Sequence, residues 1–104
     1  MFNKIVYLFF IFFFIKINSA QSDALLDKGK EIFLNRGMCT TCHILKSANS
    51  TGEIGPNLDQ LKPLMSQVIV AVKNGIGVMP TFEGLLSSDE IEAVAYFVSK
   101  SVEN

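Results

Sequence analysis

One histidine and two cysteines occur in a chain of 104 residues, and this shortage of metal-ligating side chains narrows the chemistry before any motif is considered. A pair of histidines on one metal is excluded within a single chain. A zinc site built from three or four Cys and His ligands would have to recruit carboxylates as well. No segment alternates apolar and polar residues in the manner of a strand, so the βαβ context of a thioredoxin-like dithiol is missing. Behind the N-terminal leader there is no repeat, no heptad pattern and no low-complexity tract. An uninterrupted apolar run of the roughly 20 residues needed to cross a bilayer is also lacking.

The leader is the first positive feature. Met1-Phe2-Asn3-Lys4 precedes an apolar run over residues 5–15, and Asn18-Ser19-Ala20 offers small residues for signal peptidase. This reads as a secretory signal peptide over residues 1–20, with cleavage after Ala20 or Ser22, and it predicts a periplasmic address. Left uncleaved, the same run would be the chain's one means of holding a membrane. Six of the nine phenylalanines lie in the leader over residues 1–20, so the high overall hydrophobicity belongs mainly to it. Residues 21–104 form one domain with seven basic side chains against ten acidic ones, a net charge of −3. That balance argues against nucleic acid as a partner. A domain of this size gains little surplus stability from one apolar core and usually needs an added support.

Both cysteines and the only histidine fall within Cys39-Thr40-Thr41-Cys42-His43, the spacing of a covalent attachment site for c-type haem. Residues three apart share one face of a helical turn. Cys39 and Cys42 can therefore form thioethers to two vinyl groups of one porphyrin, while His43 projects beneath the ring as an axial ligand. Three plainer readings compete. Dithiol exchange expects the missing βαβ pattern, a zinc site lacks ligands, and a disulfide across two residues is strained and leaves His43 without a role. Haem attachment outside the cytoplasm agrees with the export signal.

The remaining pattern predicts an all-α fold of three to four helices. Residues 23–36 read as an amphipathic helix with Leu25, Leu26, Ile32 and Phe33 on its apolar face and Gly37 at its end. Residues 46–61 carry Gly, Pro, Ser and Asn without periodicity and read as loop, interrupted by Gly55-Pro56-Asn57-Leu58. Residues 66–74 form a second helix closed by Gly75. Ser87-Ser88-Asp89-Glu90 is a capping box ahead of a last helix over residues 91–100.

The sixth position on the iron would be filled by a methionine, a lysine or water, or left empty. Met1 belongs to the leader and Met38 adjoins Cys39, which leaves Met65 and Met79. Met79 lies in Asn74-Gly75-Ile76-Gly77-Val78-Met79-Pro80, where two glycines permit sharp turns and Pro80 holds Met79 extended. Met65, just after Pro63 at a helix start, reads more simply as core. The metal ligands expected are therefore His43 and Met79.

In order and spacing, Cys39-Thr40-Thr41-Cys42-His43, Gly55-Pro56-Asn57-Leu58, Asn74-Gly75-Ile76-Gly77-Val78-Met79-Pro80 and Ala93-Val94-Ala95-Tyr96-Phe97 resemble class I cytochrome c. The resemblance implies one haem c bound through Cys39 and Cys42, with the carbonyl of Pro56 orienting His43. It also implies that the first and last helices cross at Gly29, with Phe33 meeting Tyr96. The function implied is periplasmic electron transfer by a one-electron carrier that is not itself an enzyme. The partners would be redox proteins, a dehydrogenase as donor and an oxidase or another cytochrome as acceptor. The Gly-Ile-Gly-Val-Met-Pro segment and the C-terminal pattern are also similar to the haem subunits of sulfite-oxidising enzymes, which implies a subunit role as one alternative. A haem-based ligand sensor with a weak sixth ligand is another. Lys46, Lys62 and Lys73 could form a local docking patch, although scattered lysines are usually only a solvated surface.

Overall fold

The computed structural model describes residues 20–103, so the signal peptide expected over residues 1–20 lies outside the described residues, apart from Ala20. Among the described residues four helices surround a single apolar core. Helix α1, residues 20–31, continues into a π turn at Ile32–Arg36, closed by the Gly37 N–H on the Ile32 carbonyl at 2.7 Å. Its apolar face buries Ile32 and Phe33 completely and Leu25 and Leu26 in part. The widened last turn departs from the regular helix expected there, because a 3.6-residue period carries no information about a local i→i+5 bond.

Three contacts join this N-terminal segment to the last helix, α4, at Ser88–Ser101. A methyl group on Gly29 would lie 2.1 Å from the Ala93 carbonyl oxygen and 2.6 Å from Phe97 Cβ. The two helices therefore cross backbone against backbone, which only glycine allows. One turn further along, Phe33 meets Phe97 edge to face, with centroids 5.8 Å apart and an interplanar angle of 62°. The partner expected for Phe33 was Tyr96, and the structure corrects this. The crossing turns Ala93 and Phe97, four residues apart, toward α1, and Tyr96 sits beside them, half-buried under the ammonium of Lys100 at 5.7 Å. From the π turn, Arg36 forms an ion pair with Glu90 and donates to the Leu85 carbonyl at 3.1 Å.

The stretch expected as loop is partly ordered. Strand β1, Ile44–Leu45, pairs antiparallel with β2, Ser50–Thr51, matching Ile44 with Thr51 and Leu45 with Ser50. Helix α2, Leu58–Leu61, is capped by Asn57, whose side chain accepts from the N–H groups of Asp59 and Gln60. Two-residue strands and a four-residue helix are too short to leave a periodic signature, and the Asn cap is their one legible signal.

Helix α3, Met65–Asn74, starts where the Gln67 side chain accepts from the Leu64 N–H at 2.9 Å and ends at Gly75, which has a left-handed φ of 76°. Helix α4 opens on the expected capping box. Ser87 Oγ accepts from the Glu90 N–H at 3.2 Å, and Glu90 Oε1 accepts from the Ser87 N–H at 3.0 Å. Ile91, Val94, Phe97 and Val98 of α4 pack with Val68 and Val72 of α3 and with Ile32 and Phe33. Each large side chain buried in this way contributes about 1.5–3 kcal/mol. Among the described residues no helix is long and apolar enough to cross a membrane.

Candidate functional site

Cys39–Thr41 is a single 3₁₀ turn, entered through Met38 in a left-handed conformation with φ of 51°. The N–H groups of Cys42 and His43 both point back to the Cys39 carbonyl, at 3.2 and 3.0 Å. The two cysteines and the histidine are thus held on one tight bend rather than on a free loop.

The segment after β1 wraps under this bend and meets its polar groups in turn. The Gly55 N–H donates to the Cys42 carbonyl at 2.7 Å. Ser50, 4% exposed, donates through Oγ to the His43 carbonyl at 2.5 Å. The Nδ1 atom of His43 lies 2.8 Å from the Pro56 carbonyl oxygen. A carbonyl can only accept, so Nδ1 carries the proton and Nε2 keeps a free lone pair, the form in which imidazole binds metals. Close approach needs glycine at two places. A Cβ on Gly52 would lie 2.6 Å from the Thr41 carbonyl oxygen, and one on Gly55 would lie 2.7 Å from His43 Cε1.

Met79 occupies a separate closed turn. Ile76 and Met79 exchange both backbone hydrogen bonds, at 3.1 and 2.9 Å, around Gly77, whose φ of 57° is left-handed. The Met79 side chain is half-buried and packs against the core, as does that of Met65 at the start of α3. The sequence-derived site residues therefore fall into two groups. Cys39, Cys42, His43 and Pro56 are assembled by the bend and its supporting loop, and Met79 is carried by the turn that follows α3.

Electrostatics argue against thiol exchange. Burial pushes the Cys39 thiol up to about 11, and the neighbouring Cys42 adds to the rise against the pull of a backbone hydrogen bond. A dithiol catalyst needs the opposite, a thiol lowered toward neutrality. Both cysteines are unpaired. Among the described residues no three His, Cys, Asp or Glu side chains converge as a metal cluster, so zinc finds no ligand set there. Two surface clefts lie elsewhere, one between Lys62, Met65, Tyr96 and Lys100 and one between Ile69, Leu86 and Ile91. Neither is lined by Cys39, Cys42, His43, Pro56 or Met79.

The residues present fit haem c. Two thiols three residues apart, an imidazole with Nε2 free and a half-buried thioether make the right donor set. Ile54, Ile76 and Val78, on the loops beside the donors, are 69%, 67% and 88% exposed, apolar surface that suits a large flat apolar ring. Sequence reasoning missed Ser50, Gly52 and the Arg36–Glu90 pair. The first two act through burial and close contact, which leave no mark in composition. The pair joins residues 54 positions apart, beyond any local pattern.

Comparison with known proteins gives consistent relatives. The family described as cytochrome C oxidase, cbb3-type, subunit III matches residues 24–98. Cytochrome c6 of Gracilaria tenuistipitata var. liui is 32% identical over 111 residues, covering 97% of each chain. Cytochrome c6 of Leptolyngbya boryana is 32% identical over 69 residues, covering 62% of this chain and 81% of its own. Among solved structures, the c-type cytochrome SorU from Sinorhizobium meliloti superimposes with a TM-score of 0.74 at 50% identity, covering 77% of this chain and 93% of that one.

Proposed function

The chain belongs to the small mono-haem class I cytochromes c and carries one haem c bound covalently through Cys39 and Cys42; from that premise we propose that it is a periplasmic one-electron carrier with the iron held between His43 and Met79. The haem iron supplies the one-electron change of oxidation state, and everything else is the work of the chain.

Thioethers at Cys39 and Cys42 would hold the ring to the bend at Cys39–Thr41. The Pro56 carbonyl holds the Nδ1 proton of His43, which fixes the ring's orientation and makes Nε2 a stronger donor. The Met79 thioether is a neutral, soft ligand that favours the reduced ion and raises the potential relative to two nitrogen ligands. Were His43 and Met79 both to hold the iron, no position would remain for a substrate, which suits a carrier and not an enzyme. Gly52, Ser50 and Gly55 keep the His43 side rigid, so little has to move when an electron arrives or leaves.

The observation that carries this reading is the His43–Pro56 contact at 2.8 Å, which presents Nε2 as a preformed ligand next to both attachment cysteines. The partners are redox proteins, and we place a dehydrogenase on the donor side and an oxidase or another cytochrome on the acceptor side. The leader over residues 1–20 is the export signal in this reading, and thioether attachment outside the cytoplasm agrees with it. Carbon monoxide tests the ligation. Slow or absent binding to the reduced protein is expected of a carrier, and the Met79→Ala variant should bind readily. Fast, complete binding to the unaltered protein would instead identify a ligand sensor.

A further inference from the structure

The turn that carries Met79 is closed onto the end of α3 by two hydrogen bonds, and one of them comes from a side chain with no assigned role. Thr81 Oγ1 donates to the Lys73 carbonyl at 2.5 Å and accepts from the Glu83 N–H at 3.3 Å. The Phe82 N–H donates to the Val72 carbonyl at 2.9 Å. Both acceptors are among the last four carbonyls of α3, which have no partner inside the helix. Residues 75–82 thus form a loop that leaves α3 at Gly75, turns at Ile76–Met79 and is latched back onto the same helix end two residues after Met79.

We propose that Thr81 is the positioning residue for the methionine ligand: its hydroxyl latches the Met79 loop to Lys73, and so sets how often the thioether leaves the iron. The inference rests on the reading of Met79 as the sixth ligand. The Ile76–Met79 pair shapes the turn internally but does not tie it to the rest of the protein. Pro80 has no N–H to offer. Between Met79 and Phe82 the Thr81 side chain is therefore the one group that anchors the loop to α3. Thr81 is exposed, so removing its hydroxyl leaves the core untouched and acts on the loop alone.

The test uses the haem-loaded protein and stopped-flow carbon monoxide binding to its reduced form, together with the weak red absorption band of methionine-ligated ferric haem. Thr81→Val removes the hydroxyl at nearly constant volume, Thr81→Ser keeps it, and Met79→Ala sets the rate of an open site. Ile91→Val is a core control on α4, 5% exposed and outside residues 75–82, that lowers global stability without altering the loop's own residues. One lost hydrogen bond of ordinary strength corresponds to about a fivefold rise in loop opening. Carbon monoxide should bind about fivefold faster to Thr81→Val than to the unaltered protein, with Thr81→Ser and Ile91→Val at the unaltered rate. A Thr81→Val rate equal to that of the unaltered protein, with Met79→Ala much faster, would overturn the latch while leaving Met79 as ligand. A rise of the same size in Ile91→Val would also overturn it, since opening would then follow global stability. An unaltered protein that binds as fast as Met79→Ala and lacks the red band would overturn the ligation reading, and the latch with it.

Discussion

The Nδ1 atom of His43 lies 2.8 Å from the carbonyl oxygen of Pro56, thirteen residues further along the chain. This contact connects the bend that carries the attachment cysteines to the loop that supports it. It also fixes which imidazole nitrogen is free for the iron.

Gly55 makes that approach possible, and Gly55→Ala should disturb it. The added methyl would sit 2.7 Å from His43 Cε1 and 3.2 Å from Nε2, closer than packed atoms come, so the ring or the loop must shift. A stability loss of about 1–3 kcal/mol is expected, with a changed reduction potential in the folded protein. Thermal unfolding and redox titration of the haem-loaded variant would measure both. Unchanged values would mean that the supporting loop does not constrain the imidazole.

Gly29→Ala should be more damaging, because the atoms in the way are backbone. The new Cβ would fall 2.1 Å from the Ala93 carbonyl oxygen, and α1 can make room only by moving off α4. A loss of about 3 kcal/mol is expected in chemical unfolding. A loss below 0.5 kcal/mol, on the order of an ordinary surface change, would contradict the close crossing.

Phe33 and Phe97 should be energetically coupled. Their edge-to-face geometry predicts an interaction energy of about 0.5–1.5 kcal/mol in a double-mutant cycle of Phe33→Leu and Phe97→Leu. A parallel cycle pairing Phe33→Leu with Tyr96→Leu should give a smaller value. The reverse order would restore the pairing that the sequence suggested.

Lys62→Gly should stabilise the protein. Lys62 ends α2 with φ of 48°, a left-handed conformation that glycine adopts without the clash of a Cβ. The gain, about 0.5–1 kcal/mol after allowing for the freer unfolded chain, would be read as a higher melting temperature. A lower one would show that the lysine side chain contributes more than its backbone strain costs.

The sequence revealed most where chemistry depends on consecutive residues. Cys39, Cys42 and His43 lie in one pentapeptide, Ser87 and Glu90 announce α4 three residues apart, and Gly75 marks the end of α3. Pro56 was placed beside His43 by resemblance to a family, not by any local rule. What stayed hidden depends on contacts between distant segments. The π turn at Ile32–Arg36 carries an ordinary helical sequence, and the strands Ile44–Leu45 and Ser50–Thr51 are too short to alternate. Phe33 was assigned to the wrong ring because Tyr96 and Phe97 are neighbours in sequence yet face different directions on α4, and only the crossing point at Gly29 selects between them.

The most direct test of the account is an absorption spectrum of the protein made in a host with haem-attachment machinery, recorded ferric and ferrous and again after denaturation in pyridine. The account predicts a c-type haemochrome that stays with the chain in denaturant. It also predicts, in the native ferric protein, a weak red band that Met79→Ala abolishes, together with a fall in potential of about 0.1–0.3 V, within the roughly 0.8 V span that axial ligands govern. Haem that solvent extracts, or a red band and potential that Met79→Ala leaves unchanged, would contradict it.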